Sequence, residues 1–199
     1  GDTKIYFKPN TLQELLEFLK LYKKEKKLFV LGAGSNVLFK DDLFDGVVIK
    51  LSKNFSRISL LNKNTIVAGS GVLDKSLSEF AAENDLGGFE FLSCIPGTVG
   101  GGIRMNSGCF GTEFKDILVS VQAINRLGEV ITIPAKDIIF GYRFCNLAKD
   151  LIFLSASFRG IKGKSDQIEK EVNNLKTRKE KAQPTRIKTG GSTFKNPIE

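Results

Sequence analysis

The residues that could do chemistry in this chain fall into four short segments, two of which are rich in glycine. The longer of these two, residues 89–111, contains three consecutive glycines, Gly100, Gly101 and Gly102. Consecutive glycines adopt backbone angles closed to other residues and let another group approach the main chain. Their neighbours are Phe, Ile, Val and Met rather than the polar residues of a flexible linker. The segment therefore predicts a loop that cradles a ligand, and not a regular helix or strand.

The shorter segment comes first along the chain, so residues 89–111 form the second glycine-rich segment. The shorter segment follows the apolar run 28–31 and reads Gly-Ala-Gly-Ser-Asn at residues 32–36. Backbone N–H groups exposed by such a turn can bind phosphate oxygens. The segment matches half of a dinucleotide-binding fingerprint, but Val-Leu-Phe follows where that fingerprint needs a helix and a third glycine. A Rossmann domain is therefore not expected. From these residues alone, a phosphate-binding turn and a turn without a ligand remain equally open.

The other two segments carry side chains that could act on a substrate. Arg143 lies among aromatic residues at 140–144, where it could present a rigid fork to a carboxylate or extend from a strand edge into solvent. Ser192 follows two glycines within residues 189–197. It could donate a proton, bind a phosphate or serve only as a turn residue.

Composition excludes several classes of site. The chain of 199 residues has no histidine, which excludes Ser-His-Asp and Cys-His catalysis and most transition-metal sites. Its three cysteines, Cys94, Cys109 and Cys145, are too few and too irregularly spaced for a disulfide framework or a zinc site. We expect buried structural cysteines, with reactive thiols at Cys94 and Cys109 as the alternative, no metal, and a reducing, cytoplasmic compartment. No apolar run is long enough to span a bilayer.

The net charge of +8 raises the possibility of nucleic-acid binding. Much of it comes from lysines at 20–27 and 170–188, on or just after predicted amphipathic helices, where lysine usually faces solvent. No basic surface interleaved with aromatic residues is apparent. An anionic small molecule is the expected partner, and nucleic acid is not.

Hydrophobic periodicity indicates the elements that position these segments. A helix beginning at Leu12, with Thr11 and Glu14 at capping-box spacing, is followed by apolar strands at 28–31 and 47–51, which is an α/β arrangement. After a boundary near Ser52, the pattern becomes α+β. The expected strands there are 58–61, 65–68, 119–125, 130–133 and 151–157, with helices at 73–83 and 165–181, the second capped by Ser165 or Asp166.

Taken together, the four segments resemble the UDP-N-acetylenolpyruvoylglucosamine reductase (MurB) family. The matching pieces are LGAGSNVL, IPGTVGGGIRMNSGCFG, GYR and GGSTFKNP, in that order, between residues 31 and 197. The absence of an insertion between the last two pieces is similar to the shorter, second type of the family. The resemblance implies an FAD-binding fold of the vanillyl-alcohol-oxidase/PCMH type, α+β overall. Its expected divisions are a first α/β FAD-binding subdomain at 1–52, a second α+β subdomain with a mainly antiparallel sheet at 53–187, and the start of a substrate-binding domain at 188–199.

The resemblance also implies an activity. It is the FAD-dependent reduction by NADPH of the enolpyruvyl ether of UDP-N-acetylglucosamine to UDP-N-acetylmuramate, in peptidoglycan precursor synthesis. Arg143 would stabilise the enolate and Ser192 would protonate it as general acid. The enzyme would be a cytoplasmic monomer without membrane or nucleic-acid partners.

The resemblance assigns the remaining site residues by position. Tyr142, Lys195 and Asn196 would contact substrate, and basic residues within 178–188 would meet its diphosphate. The residues expected to bind FAD are Gly32, Ala33, Gly34, Ser35, Asn36, Pro96, Gly97, Thr98, Gly100, Gly101, Asn106 and Gly108.

This chain departs from the family pattern at its ends. Glu199 lies too early to be the glutamate that the family places near its C-terminus, and the N-terminal stretch is short. A truncated chain that binds FAD but turns over poorly is therefore one hypothesis. The alternatives are a flavin oxidase of the vanillyl-alcohol-oxidase class and an FAD- or nucleotide-binding module without enzymatic activity.

Overall fold

A small parallel sheet with one helix forms the N-terminal part of the protein. The computed structural model describes residues 1–22 and 27–183. The elements of this part along the chain are β1 (Thr3–Phe7), α1 (Leu12–Leu21), β2 (Lys27–Val30) and β3 (Phe44–Ile49). The strands of the sheet lie in the order β1-β3-β2.

Helix α1 begins as the sequence predicts. The Thr11 hydroxyl accepts a hydrogen bond from the Glu14 backbone N–H at 3.1 Å. The reciprocal bond is shifted by one residue, because the Glu14 carboxylate accepts from Asn10 N–H rather than from Thr11. Leu15 and Leu19 point into the core from this helix. Strand β1, by contrast, has no clear sequence signal, and its parallel pairing with β3 defines it.

A five-stranded antiparallel sheet forms the larger part. Its strands lie side by side in the order Val130–Pro134, Leu118–Ile124, Ile152–Arg159, Thr65–Gly69 and Ile58–Asn62. The predicted strands are confirmed, and the strands on either side of residues 125–129 pair as a hairpin. The elements after β3 are β4 (Ile58–Asn62), β5 (Thr65–Gly69), α2 (Asp74–Glu83), β6 (Leu86–Gly87), α3 (Val99–Met105), β7 (Gly108–Cys109), β8 (Thr112–Glu113), α4 (Phe114–Ile117), β9 (Leu118–Ile124), β10 (Val130–Pro134), β11 (Phe140–Gly141), β12 (Phe144–Cys145), β13 (Ile152–Arg159), β14 (Ile161–Lys162) and α5 (Ser165–Ala182), with 3-10 turns at Lys53–Phe55, Glu90–Cys94 and Ala135–Asp137.

The expectation that residues 89–111 contain no regular helix is wrong. The three glycines lie inside α3, a two-turn helix. Packing of this helix against the core overrides the poor helix propensity of glycine. Glycine is required at position 102, because a Cβ there would overlap the ring of buried Phe114. Close approach to the backbone is still the reason for glycine at this position, but the group that approaches Gly102 is the protein's own core.

The cap of α5 also differs from the expectation. Lys164 is the N-cap and makes no side-chain capping bond. The Asp85 carboxylate, distant in sequence, accepts instead from Ser165 N–H at 3.1 Å. A capping residue supplied by tertiary contact is invisible to a local pattern.

Two buried clusters hold these elements together. The larger packs α2, α3, α4 and the antiparallel sheet around Phe89, Phe114 and Phe158. The smaller joins the two sheets, since Leu15, Leu19, Val47 and Ile49 pack with Ile124, Ile152 and Leu154. None of the helices in the described part of the chain is long and apolar enough to cross a membrane.

Candidate functional site

The turn at residues 32–36 presents unused backbone donors. It follows β2, and Leu31 N–H still donates to Ile49 of β3. Within the described residues, the N–H groups of positions 32–36 have no hydrogen-bond acceptor. Gly34 adopts φ +80°, which side chains rarely allow. Ala33, Ser35 and Asn36 are exposed. The turn can therefore donate several backbone hydrogen bonds to an anion.

The second glycine-rich segment packs directly against this turn. The Ser35 hydroxyl donates to the Pro96 carbonyl, and a Cβ on Gly32 would fall 2.6 Å from the Thr98 hydroxyl. Gly97 continues the contact, because a Cβ at this position would lie 4.0 Å from the Ser35 hydroxyl; its carbonyl accepts from Asp74 N–H at 3.2 Å, which ties the segment to α2. Residues that the sequence placed in two separate motifs thus lie in one site.

Helix α3 turns different glycines toward different neighbours. Val99 N–H donates to the Val72 carbonyl and Gly100 N–H to the Ser70 carbonyl, both at 2.9 Å, so the start of α3 is tied to the end of β5. A Cβ on Gly100 would meet Ser70 at 3.0 Å, whereas one on Gly101 would meet only the Thr98 hydroxyl, at 3.6 Å. Gly101 is the glycine that leaves room for a ligand.

A cavity of about 310 Å³ lies between these elements. It is bordered by the first turn, the ends of β3 and β5, the start of α3 and the beginning of β13. Its lining is mostly apolar, and its charged residues are the cations Lys50 and Arg104. The lining residues are Val30, Leu31, Gly32, Ala33, Lys50, Leu51, Ser70, Gly71, Leu73, Thr98, Gly100, Gly101, Arg104, Leu151 and Phe153.

Lys50 and Ser70 are the polar groups of this cavity that sequence reasoning missed. The Lys50 ammonium donates to the Gly32 carbonyl at 2.6 Å, which leaves two of its three donors available. The Ser70 hydroxyl is buried and has no hydrogen-bond partner in the described residues. A buried hydroxyl that has no partner and lies beside a cavity indicates that a ligand or a water molecule forms the missing hydrogen bond. One sequence signal could have indicated Lys50. It directly follows β3, and β3 pairs in parallel with β2, which leads into the glycine turn, so the residues after both strands lie at the same edge of the sheet.

Arg104 has a different role from Lys50. Its guanidinium donates to the carbonyls of Leu147, Ala148 and Leu151 at 2.9 to 3.0 Å and lies 4.2 Å from the centre of the Phe153 ring. Burial lowers the pKa of this guanidinium below its usual range. With its donors directed at carbonyls, Arg104 holds α3 against the chain that enters β13.

Asp74, the first residue of α2, lies under the contact between the two glycine-rich segments. Its side chain is fully buried, and neither carboxylate oxygen has a hydrogen-bond partner in the part of the chain that the structure describes. Burial raises the pKa of Asp74 to about 8, because the charged form loses its hydration. One oxygen lies 2.8 Å from the position that a Cβ on Gly97 would take. Sequence patterns gave no sign of this carboxyl group.

Asn106 links the second glycine segment to the hairpin that carries Arg143. It ends α3 with φ +44°. Its side-chain amide donates to the Glu113 carboxylate at 2.9 Å and to the Gly141 carbonyl at 3.4 Å, and its oxygen accepts from Lys115 N–H. Through these bonds Asn106 positions the segments on both sides of it. Gly108 pairs with Glu113 in the β7–β8 hairpin.

Arg143 occupies the turn between β11 and β12 in a strained conformation. Its φ is +54°, the left-handed region where a turn ordinarily uses glycine or asparagine. The guanidinium lies 5.4 Å from the centre of the ring of Tyr142, whose side chain is about half exposed. Backbone strain held by an arginine on a short hairpin is typical of functional positions.

The other expected residues divide into two groups. Ser192, Lys195, Asn196 and the basic residues after 183 lie outside the described residues. Arg178 and Lys179 are described; they contact the Phe110 ring at 4.3 Å and the Cys94 carbonyl, respectively. Within residues 1–22 and 27–183, no cluster of His, Cys, Asp and Glu could hold a metal ion.

Comparison with known proteins identifies the type of site. The model of the FAD binding domain family matches residues 3–134. UDP-N-acetylenolpyruvoylglucosamine reductase from Pelagibacter ubique is 60% identical over all 199 residues, and that from Rickettsia typhi is 44% identical over 198 residues. The chain spans 66% and 67% of the length of these two relatives, about two thirds.

Solved structures agree. The crystal structure of UDP-N-acetylenolpyruvylglucosamine reductase from Thermus caldophilus superposes with a TM-score of 0.84 at 30% identity, covering 96% of this chain and 68% of that one. Carbon monoxide dehydrogenase from Hydrogenophaga pseudoflava, at 16% identity and a TM-score of 0.59 over 79% of this chain and 59% of that one, shares the fold. The α+β FAD-binding fold expected from the sequence is confirmed, and the chain belongs to the UDP-N-acetylenolpyruvoylglucosamine reductase family.

Proposed function

We propose that this chain is the FAD-binding part of a reductase that converts the enolpyruvyl ether of UDP-N-acetylglucosamine to UDP-N-acetylmuramate with NADPH, in the cytoplasm and as a monomer. Family membership supports the reaction class. The single observation that carries the cofactor assignment is the convergence of unused N–H groups at 32–36 with Lys50 and Ser70 at one cavity.

The groups around this cavity fit FAD. The cofactor joins a diphosphate to two ring systems through hydroxylated linkers, so it requires anion donors, hydroxyl partners and apolar walls together. Residues 32–36 and Lys50 supply donors for the diphosphate. Ser70 supplies a buried hydroxyl that lacks a partner, and Leu73, Leu151 and Phe153 supply apolar surface. Among residues 1–22 and 27–183, no carboxylate lines the cavity to repel the phosphates.

We divide the roles of the predicted cofactor residues by their contacts. Gly32, Ala33, Gly34, Ser35, Asn36, Thr98 and Gly101 would contact FAD directly. Pro96 and Gly97 would hold the two glycine segments together, and Gly100 would let α3 approach Ser70. Asn106 and Gly108 would position the neighbouring hairpins, because the side chain of Asn106 already bonds to protein on three sides.

Bound FAD would supply the hydride, drawn from NADPH, that reduces the enolpyruvyl double bond. The protein would supply position and charge. Arg143 would place its guanidinium on the substrate carboxylate, where negative charge increases as the enolate forms. The strained turn would keep it there, since Asn106 bonds that hairpin to α3. Tyr142, Lys195 and Asn196 would bind substrate, and Ser192 would protonate the enolate carbon.

We also propose that the division of the chain at Ser52 has functional meaning. The cavity takes lining residues from both sides of that position, with Lys50 before it and Ser70 after it. FAD would then lie between the subdomains 1–52 and 53–187, with a substrate-binding part beginning at 188–199.

The first experiment is the visible absorption spectrum of this chain before and after addition of FAD, followed by desalting. We expect a flavin band that stays with the protein. A chain that folds, as shown by circular dichroism, yet leaves all FAD in the small-molecule fraction would contradict the cofactor assignment.

The reaction itself is tested in a polypeptide of the relatives' full length. We expect NADPH oxidation that depends on the enolpyruvyl substrate, and Arg143→Lys should lower kcat at least tenfold while flavin content stays unchanged. Unchanged kcat in that variant would remove Arg143 from the mechanism and leave the cofactor assignment standing.

A further inference from the structure

Two cysteine side chains lie near each other within the second glycine-rich segment, residues 89–111. Cys94 ends the 3-10 turn Glu90–Cys94, and Cys109 lies in β7 after α3. Cys109 is half-buried and Cys94 is 5% exposed, and the strand that carries Cys109 packs against the 3-10 turn that ends at Cys94. Both are free thiols. The proposed flavin chemistry uses neither of them.

Two cations of α5 cover this pair. Lys179 donates to the Cys94 carbonyl, and the Arg178 guanidinium lies over the ring of Phe110, the residue after Cys109. Burial raises the pKa of the Cys109 thiol and the Cys94 thiol raises it further, while Lys179 and Arg178 act in the opposite direction. Burial is the largest of these effects and the net shift is upward, so it is the closeness of the two cysteines, and not a lowered pKa, that favours their reaction.

We propose that Cys94 and Cys109 are a redox-active pair that hydrogen peroxide converts to a reversible disulfide. The more exposed thiol, Cys109, reacts first and the buried Cys94 resolves it. Disulfides that form in a reducing compartment are ordinarily transient and regulatory rather than structural. A sulfenic acid held near a second thiol by packing also reacts with it far more readily than with thiols in solution.

The reaction balances with one peroxide. The Cys109 thiolate attacks one peroxide oxygen and the O–O bond breaks; the departing hydroxide takes a proton to become water, and Cys109 becomes a sulfenic acid. The Cys94 sulfur then attacks the Cys109 sulfur, the S–O bond breaks, and the departing hydroxide takes the Cys94 proton. Two thiols and one hydrogen peroxide thus give one disulfide and two waters.

The disulfide would close a covalent ring around residues 94–109. This ring contains Pro96, Gly97, Thr98 and all of α3, that is, most of the second glycine-rich segment. Cross-linking its two ends removes conformations from the unfolded chain, so the oxidised protein should unfold at a higher temperature than the reduced protein. A dithiol reductant should reverse this change.

The test treats the reduced chain with a small excess of hydrogen peroxide. Free thiols titrated in denaturant should fall from three to one, and the intact mass should fall by two hydrogen atoms. Trypsin cleaves after Arg104, between the two cysteines, so the oxidised protein should yield peptide 76–104 linked to peptide 105–115. Dithiothreitol should separate these peptides and lower the unfolding temperature again.

Two variants complete the design. Cys109→Ala should form no linked peptide, whereas Cys145→Ala should form it as the parent does, because Cys145 lies at Arg104 on another side of α3. The inference is overturned if the parent protein keeps three thiols, if Cys109 gains oxygen without linking to Cys94, or if the linked peptide contains Cys145. These outcomes are read without FAD, so they are independent of the proposed function.

Discussion

The cations at the cavity divide between ligand binding and structure. The Arg104 guanidinium donates to three carbonyls. Within the part of the chain that the structure describes, Lys50 makes one hydrogen bond, to the Gly32 carbonyl, and it lies beside unused N–H groups. In a mostly apolar cavity, an ammonium group next to a turn of this kind is the strongest attraction that a diphosphate would meet. Lys50 is therefore the side chain whose removal should weaken cofactor binding most.

We expect Lys50→Gln to raise the Kd for FAD about tenfold, which corresponds to ~1.4 kcal/mol, since one charge-assisted contact is lost. Flavin fluorescence quenching measures this affinity. Lys53→Gln is the matched control, because Lys53 is exposed, lies outside the cavity lining and carries the same charge. Equal affinities for the two variants would show that net charge, and not Lys50, attracts the cofactor.

Asp74 makes the stability of the fold depend on pH. Its folded pKa of about 8 lies above the ordinary value of 3.8, so the folded protein holds a proton that the unfolded chain releases as pH rises between these values. The free energy of unfolding should therefore fall across that window, by at most about 1.4 kcal/mol per pH unit from this group. The stabilisation that the buried, protonated Asp74 contributes is complete below the pKa of Asp74 in the unfolded chain. It is lost as the pH rises through the pKa of Asp74 in the folded protein.

Asp74→Asn should flatten this dependence, because the amide cannot ionise. Urea unfolding at pH 5 and pH 7.5 gives the two free energies, and their difference should be smaller in the variant than in the parent. Asp42→Asn, at an exposed position, should leave the difference as it is in the parent. An unchanged difference in Asp74→Asn would mean that Asp74 is charged or solvated in the folded protein.

Helix α3 shows how an element can use glycine for two purposes. Gly102 packs on Phe114 in the core, while Gly101 one residue earlier borders the cavity. Both lie in the same short helix, so the same substitution at each position separates packing from ligand access.

Gly102→Ala should destabilise the protein by about 1 to 3 kcal/mol, because the added methyl group forces Phe114 or α3 to move. Gly101→Ala should not lower stability, since its methyl has room and alanine favours a helix. It should nevertheless weaken FAD binding by narrowing the cavity. Chemical denaturation and fluorescence titration of both variants measure the two effects. Tight FAD binding in Gly101→Ala would place the cofactor away from α3.

Across the whole molecule, the parallel and antiparallel sheets share one buried cluster. Val47 and Ile49 of the first sheet pack with Ile124, Ile152 and Leu154 of the second. The proposed cofactor site lies at the same junction. Unfolding of one sheet would therefore expose apolar surface of the other, which favours cooperative unfolding.

We expect a single thermal transition that FAD shifts as a unit. At a free FAD concentration of about 100 Kd, the cofactor should stabilise the folded state by ~2.7 kcal/mol. Circular dichroism and flavin fluorescence should report the same midpoint. Two separated transitions, with only one responding to FAD, would show that the sheets are independent.

The sequence by itself determined the features that depend on neighbouring residues. Alternating apolar residues located β4, β5, β9, β10 and β13, and the Thr11 cap located the start of α1, since strand and helix periods and caps are local properties. The glycine turn at 32–36 was also visible as turn chemistry, whereas the positive φ of Arg143 was not. The four motifs also indicated the family, because each motif is a short run of neighbouring residues.

The tertiary structure alone decided the features that depend on residues distant in sequence. Packing between separate segments produces the pairing of β1 with β3, the helix through three glycines, the Asp85 cap of α5 and the burial of Asp74. It also brings the strand that carries Cys109 against the 3-10 turn that ends at Cys94. Lys50 became a candidate ligand only when β3 brought it to Gly32. Burial and contact are properties of the folded chain, so a local pattern could propose the site but could not assemble it.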